Sequence, residues 1–140
     1  MTSQLLTDRI KKVSKKALII TDGTELMQEI AGKISAAITD YNVKICPVDK
    51  FDGTDLLPAE IFIIGCEKAK PPSFAYLEEM LFHINLAARK CGLFSSNEKA
   101  LKYLRSIIKD CEAGTGDSLL VEDGKIKKSQ INNWLKSFIC

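Results

Sequence analysis

The chain has 140 residues, 46% of them apolar and 27% charged, which is enough for one domain with a proper core and too little for two of ordinary size. Twenty Lys and Arg against eighteen Asp and Glu leave a net charge of +2, too balanced for the electrostatic footprint of a nucleic-acid binder. Its longest apolar runs are a few residues, far short of the roughly 20 that insert across a bilayer as a helix.

Residues 1–15 are polar and end in basic residues, with Leu6, Ile10 and Val13 at helical spacing. They read as a short N-terminal helix or a loose, solvated basic extension, set apart from a domain over 16–140. Lys16 to Ile38 then reads as strand, turn and amphipathic helix. Ala17 to Ile20 is an unbroken apolar run, as in a strand covered on both faces, and Leu26, Ile30, Ala31, Ile34, Ala37 and Ile38 form one helical stripe. Val43 to Val48 is a second strand, placed at a sheet edge because Pro47 offers no N–H to a ladder. Asp49 to Glu60 reads as a loop with one helical turn at Thr54 to Leu57, leading into the apolar strand Ile61 to Gly65.

Lys68 to Ser73 is a loop closed by Pro71 and Pro72, with Ser73 placed to cap a helix from Phe74 to Ala88. That helix would bury Phe74, Leu77, Leu81, Ile84 and Ala88. His83, the sole histidine, faces away from that stripe and is assigned no role, while Phe82 and Leu86 lie off it as a surface open to a partner. Lys90 to Phe94 is a fourth strand. Ser95 with Glu98 has the form of a capping box for a helix reaching Cys111, and Ala113 to Asp117 breaks that helix. A fifth strand at Ser118 to Val121, a turn at Asp123-Gly124 and a last helix capped by Ser129 follow. Ile131, Trp134, Leu135, Phe138 and Ile139 form its core stripe.

Strands alternating with helices imply a doubly wound α/β fold on a five-stranded parallel sheet, whose ligands bind beyond the carboxyl ends of the strands. Three loops meet there: Thr21 to Thr24, Cys66 to Ser73, and Ser95 to Asn97. The first opens a helix and has the form of a phosphate cradle, yet Asp22-x-x-Glu25 is equally a helix-capping pattern that needs no ligand. Cys66 reads as a buried hydrophobe or a reactive thiol, and Lys68 and Lys70 as a solvated loop or an anion contact. No catalytic constellation is visible. Cys46, Cys66, Cys91, Cys111 and Cys140 contain no Cys-x-x-Cys pair, which excludes a zinc ribbon and a thioredoxin-type motif. Their odd count without a signal peptide points to reduced thiols in the cytoplasm.

In element order and loop lengths from Lys16 to Ile139, and notably in VKICPVDKFDGTDLLPAEIFIIGCEK, the chain resembles the short-chain flavodoxins. That resemblance implies strand order 2-1-3-4-5, bound FMN and electron transfer to a redox partner. In the family, Ser/Thr-x-Thr-Gly-x-Thr surrounds the FMN phosphate and aromatics on the next two loops sandwich the ring. Carried over, Thr21, Asp22, Gly23 and Thr24 would meet the phosphate, and Cys66, Glu67, Lys68, Ser95, Ser96 and Asn97 would lie near the ring. Here the first loop is shorter and contains an acid, and neither ring loop has Trp or Tyr; Phe74 and Phe94 are the nearest aromatics. A net charge of +2 also lacks the acidic field that flavodoxins use for docking. The alternative reading is a flavodoxin-like fold without cofactor, serving as a binding or regulatory module for a protein partner. A phosphorelay receiver shares the topology, but Gly65-Cys66-Glu67 supplies no aspartate at the end of the third strand.

Overall fold

In the computed structural model, residues 15–122 and 125–139 are described. The expected N-terminal helix or arm, the Asp123-Gly124 turn and Cys140 lie outside the described residues. Five parallel strands, β1 (Lys16–Thr21), β2 (Asn42–Pro47), β3 (Ala59–Gly65), β4 (Lys90–Ser95) and β5 (Gly114–Leu120), pair in the order β2-β1-β3-β4-β5. The helices are α1 (Glu25–Ala37), the single turn α2 (Gly53–Leu56), α3 (Ala75–His83), α4 (Glu98–Ile108) and α5 (Lys128–Ile139). None is long and apolar enough to cross a membrane.

The period of two in a strand divides the core between the faces of the sheet. Leu18 and Ile20 of β1 with Phe62 and Ile64 of β3 join α2, α3 and α4 on one side. Ala17, Ile19, Ile61 and Ile63 join α1 and α5 on the other. Each large apolar side chain so enclosed contributes about 1.5–3 kcal/mol. At the mouth of the sheet the central strand β3 and its neighbour β4 approach closely: a Cβ on Gly65 would lie 2.2 Å from the Phe94 ring, so no larger residue fits.

Several local expectations change. Met27, not Leu26, faces the core, because α1 begins at Glu25 and its inward phase runs Met27, Ile30, Ala31, Ile34; Leu26 is half-buried. Helix α3 ends at His83 rather than Ala88. Asn85 accepts the N–H of Ala87 at 2.9 Å, a side-chain bond that competes with helix continuation. Ile84 is therefore half-buried, Ala88 exposed and Leu86 buried in the core, so of the two residues read as partner surface only Phe82 is exposed. A tight turn over Pro72–Phe74, not a Ser73 cap, opens α3.

Strand β5 starts at Gly114, inside the stretch read as a helix breaker, because Gly114 and Thr115 pair with Lys90 and Cys91 of β4; the register shifts over Gly116 and Asp117 before Ser118 pairs with Leu93. Its Asp117 is held by α5: the backbone N–H donates to Ser137 Oγ at 3.0 Å and the carbonyl accepts from Trp134 Nε1 at 2.7 Å. Gln130 Oε1 takes the Lys127 N–H at 2.9 Å, closing the start of α5 in place of Ser129.

Arg89, just before β4, donates through one guanidinium nitrogen to the carbonyls of Leu56 and Ala59 and through the other to that of Leu57. It thereby ties the end of α2 to the start of β3. Removing a charged donor from three carbonyls should cost about 2–3 kcal/mol. Urea unfolding of Arg89→Met should show that loss with an unchanged slope, and Arg89→Lys, lacking the planar fork, should recover only part of it.

Candidate functional site

The crevice at the carboxyl ends of β1, β3 and β4 brings the three predicted loops together, and the residue that joins the first two is Asp22. Thr21 ends β1 fully buried. Its Oγ donates to Gln28 Oε1 at 2.7 Å and accepts the Gly23 N–H at 3.1 Å. Gly23 takes φ +83°, a left-handed conformation that costs a side-chain-bearing residue strain. The chain then turns, and Asp22 folds back over it. Its Oδ1 accepts from the Thr24 N–H at 3.1 Å and the Thr24 hydroxyl at 2.7 Å, while Oδ2 accepts from the Glu67 N–H at 2.7 Å.

Glu67 is gripped from both sides, because its carbonyl accepts from the Asn97 side-chain amide. Ser95, buried at the end of β4, donates to the Cys66 carbonyl at 2.6 Å, and its Oγ accepts from the Asn97 N–H at 3.3 Å. The predicted capping box shifts by two residues: Asn97 is the cap of α4, its Oδ1 accepting the Ala100 N–H at 2.8 Å. Ser95 serves the neighbouring strand instead. For α1 the cap residue is Thr24, which makes no side-chain cap bond; Asp22 is spent on the loops, not on a capping box with Glu25.

The remaining predicted residues do not converge on a binding surface. Cys66 is fully buried among the residues beneath α3 and α4. Burial pushes its thiol up to about 12, and the nearby Asp22 charge pushes in the same direction. That is a structural thiol, not a nucleophile. Lys68 and Lys70 are exposed, Lys70 at φ +51°, and Ser96 is half-buried. Among the described residues no group of three or more His, Cys, Asp or Glu is placed to hold a metal ion.

A flavin phosphate would require the first loop to point its donors outward. Here the Thr24 N–H, the Thr24 hydroxyl and the Glu67 N–H end on Asp22, and the Thr21 hydroxyl ends on Gln28. A phosphate charge brought within about 4 Å of the Asp22 carboxylate would meet roughly 4 kcal/mol of repulsion at an effective dielectric of about 20. The ring loops fit no better, since Phe74 and Phe94, the nearest aromatics, are both fully buried in the core. The residues present do not fit FMN. Gln28 and the clamp on Glu67 were not legible as site features. Only the spacing of Gln28, one turn beyond Thr24 on the same helix face, signals its return to the loop.

Among solved structures, the chain is similar to a short-chain flavodoxin associated with a bacterial microcompartment, at TM-score 0.76 and 15% identity over 89% of this chain and 97% of that one. It is similar to the Streptococcus pneumonia TIGR4 flavodoxin at TM-score 0.72 and 18% identity, covering 87% and 95% of the two chains. Oxidised Flavodoxin 2 from Bacillus cereus superposes at TM-score 0.67 with 16% identity, over 87% and 96%. The sequence matches no protein-family profile and no curated protein. The fold is therefore flavodoxin-like, with the strand order that the sequence resemblance implied.

The four described cysteines are free and buried. Iodoacetamide at pH 8 should leave all four unlabelled in the native state and label them on unfolding, as read by peptide mass mapping. Because a buried thiol stays protonated while its unfolded counterpart ionises near 9, stability should fall as pH rises above that value. For Cys66 the loss continues towards about 12, and Cys66→Ala should flatten the alkaline slope of the urea midpoint.

Proposed function

We propose that this flavodoxin-like domain works as a cofactor-free binding module for a protein partner, its former phosphate loop closed by its own carboxylate. The observation that carries this reading is Asp22, whose two oxygens take three donors from two different loops. An internal anion that is covalently tethered has paid no association entropy, so a dissociable phosphate of micromolar or weaker affinity does not displace it. Two further features point the same way: the ring loops carry no exposed aromatic, and the +2 net charge supplies no acidic field for redox docking.

The second reading is FMN binding with electron transfer. It draws support from the likeness to solved flavodoxins and from Thr21, Gly23 and Thr24 standing at the matching turn. On that reading Thr21 and Thr24 would have to release Gln28 and Asp22 before meeting the phosphate, and FMN would supply one- and two-electron chemistry beside the backbone of Glu67 and Asn97.

An absorption spectrum of the purified protein, followed by titration into FMN, separates the two. Colourless protein that leaves flavin fluorescence unquenched at tens of micromolar is expected. Flavin bands near one equivalent, or quenching that saturates at micromolar protein, would establish the second reading instead. Asp22→Ala should also lose about 1–3 kcal/mol of stability, since it leaves the Thr24 and Glu67 N–H groups without their acceptor.

A further inference from the structure

Among the described residues, the layer formed by α1 and α5 carries an open groove between the two helices. Two cavities, of about 340 and 330 Å³, lie along it and meet at Ala37. Their floor is apolar: Ile38, Ile131 and Leu135 are buried beneath it, and Ala36 and Ala37 keep the α1 wall low. The rim is basic. Lys33, Lys128 and Lys136 line the two cavities and are all exposed, while Asp40 is the single acid among the described lining residues. Lys33 has only a loose, solvent-exposed contact with Glu29 at 3.8 Å, which binds it weakly.

We propose that this groove is the docking surface of the module, and that its occupant is an acidic amphipathic helix of a partner protein. Such a helix places apolar side chains at i, i+3 or i+4, and i+7 on the floor while its carboxylates meet the lysine rim. Charge selects this occupant over two others. The chain's own N-terminal stretch carries Arg9, Lys11, Lys12 and Lys15 against Asp8, the wrong sign for this rim. A second copy meeting the groove about a two-fold axis would set the same lysines against one another. The proposal rests on the binding-module reading and gives it a surface that shares no lining residue with the Asp22 loop.

The test uses the full chain and two fluorescein-labelled peptides of about 18 residues, long enough to form a helix on the surface. Both carry leucine at the i, i+3/i+4, i+7 positions; one has glutamate elsewhere and the other lysine. Anisotropy at about 50 mM salt should show saturable binding of the glutamate peptide and at least about tenfold weaker binding of the lysine peptide, with the difference shrinking at high salt. The combined Lys33→Glu, Lys128→Glu, Lys136→Glu change should weaken the glutamate peptide at least about tenfold and reverse the preference. Ala37→Arg, which fills the junction of the cavities, should block both peptides, and circular dichroism checks that each variant is folded.

Equal binding of the two peptides, binding that survives the triple reversal, or self-association of the chain in sedimentation that the triple reversal abolishes would each overturn the proposal. The outcomes stay separable from the flavin titration. Flavin uptake with intact peptide binding removes the cofactor-free reading and leaves the groove, whereas no flavin and no peptide preference removes the groove alone.

Discussion

A single carboxylate holds the carboxyl end of this sheet together. Asp22 bonds within its own loop through Thr24 and reaches across to the Glu67 N–H at 2.7 Å. Asn97 grips the carbonyl of the same residue, so the loops after β1, β3 and β4 form one bonded chain. In a half-buried setting each of these donors would be costly to leave unpaired. The loop geometry is thus a consequence of one acid, and the crevice has the shape of a ligand site whose polar groups are already answered from within.

Fold and site separate for that reason. The fold is carried by apolar periodicity: Leu18 and Ile20 on one face of β1, Ala17 and Ile19 on the other, and matching pairs in β3. Any sequence that keeps this pattern keeps the sheet order. The chemistry of the crevice depends on four or five polar residues that the core does not constrain, so likeness at 15–18% identity carries architecture and leaves ligand choice to be argued from the donors.

Much of the architecture was legible from the residues alone. The apolar runs at Ala17 to Ile20 and Ile61 to Gly65, Pro47 at an edge, and the stripe Ile131, Trp134, Leu135, Phe138 of α5 all stand where their periodicity puts them. The misplaced elements were those decided by side chain to backbone bonds. Asn85 ends α3 five residues early, Asn97 takes the cap expected of Ser95, and β5 starts at Gly114 because β4 offers partners to Gly114 and Thr115. The site was half legible. All three loops were located, but the direction in which Asp22, Gln28 and Asn97 point their polar atoms depends on tertiary neighbours, which spacing along the chain does not encode.

The arrangement at Asp117 bears on behaviour at high concentration. An edge strand offers a row of unpaired donors and acceptors to any other extended chain, and β5 is such an edge, rich in glycine and short of large side chains. By taking both backbone groups of Asp117 with Trp134 and Ser137, α5 interrupts that row at its middle. At the far edge, β2 carries Lys44, exposed and paired with Asp55 at 2.7 Å, and ends in Pro47, a charged side chain and a missing donor. Both margins of the sheet are thereby made poor templates for edge-to-edge growth, and at β5 a core residue, Trp134, does this second job through its indole N–H.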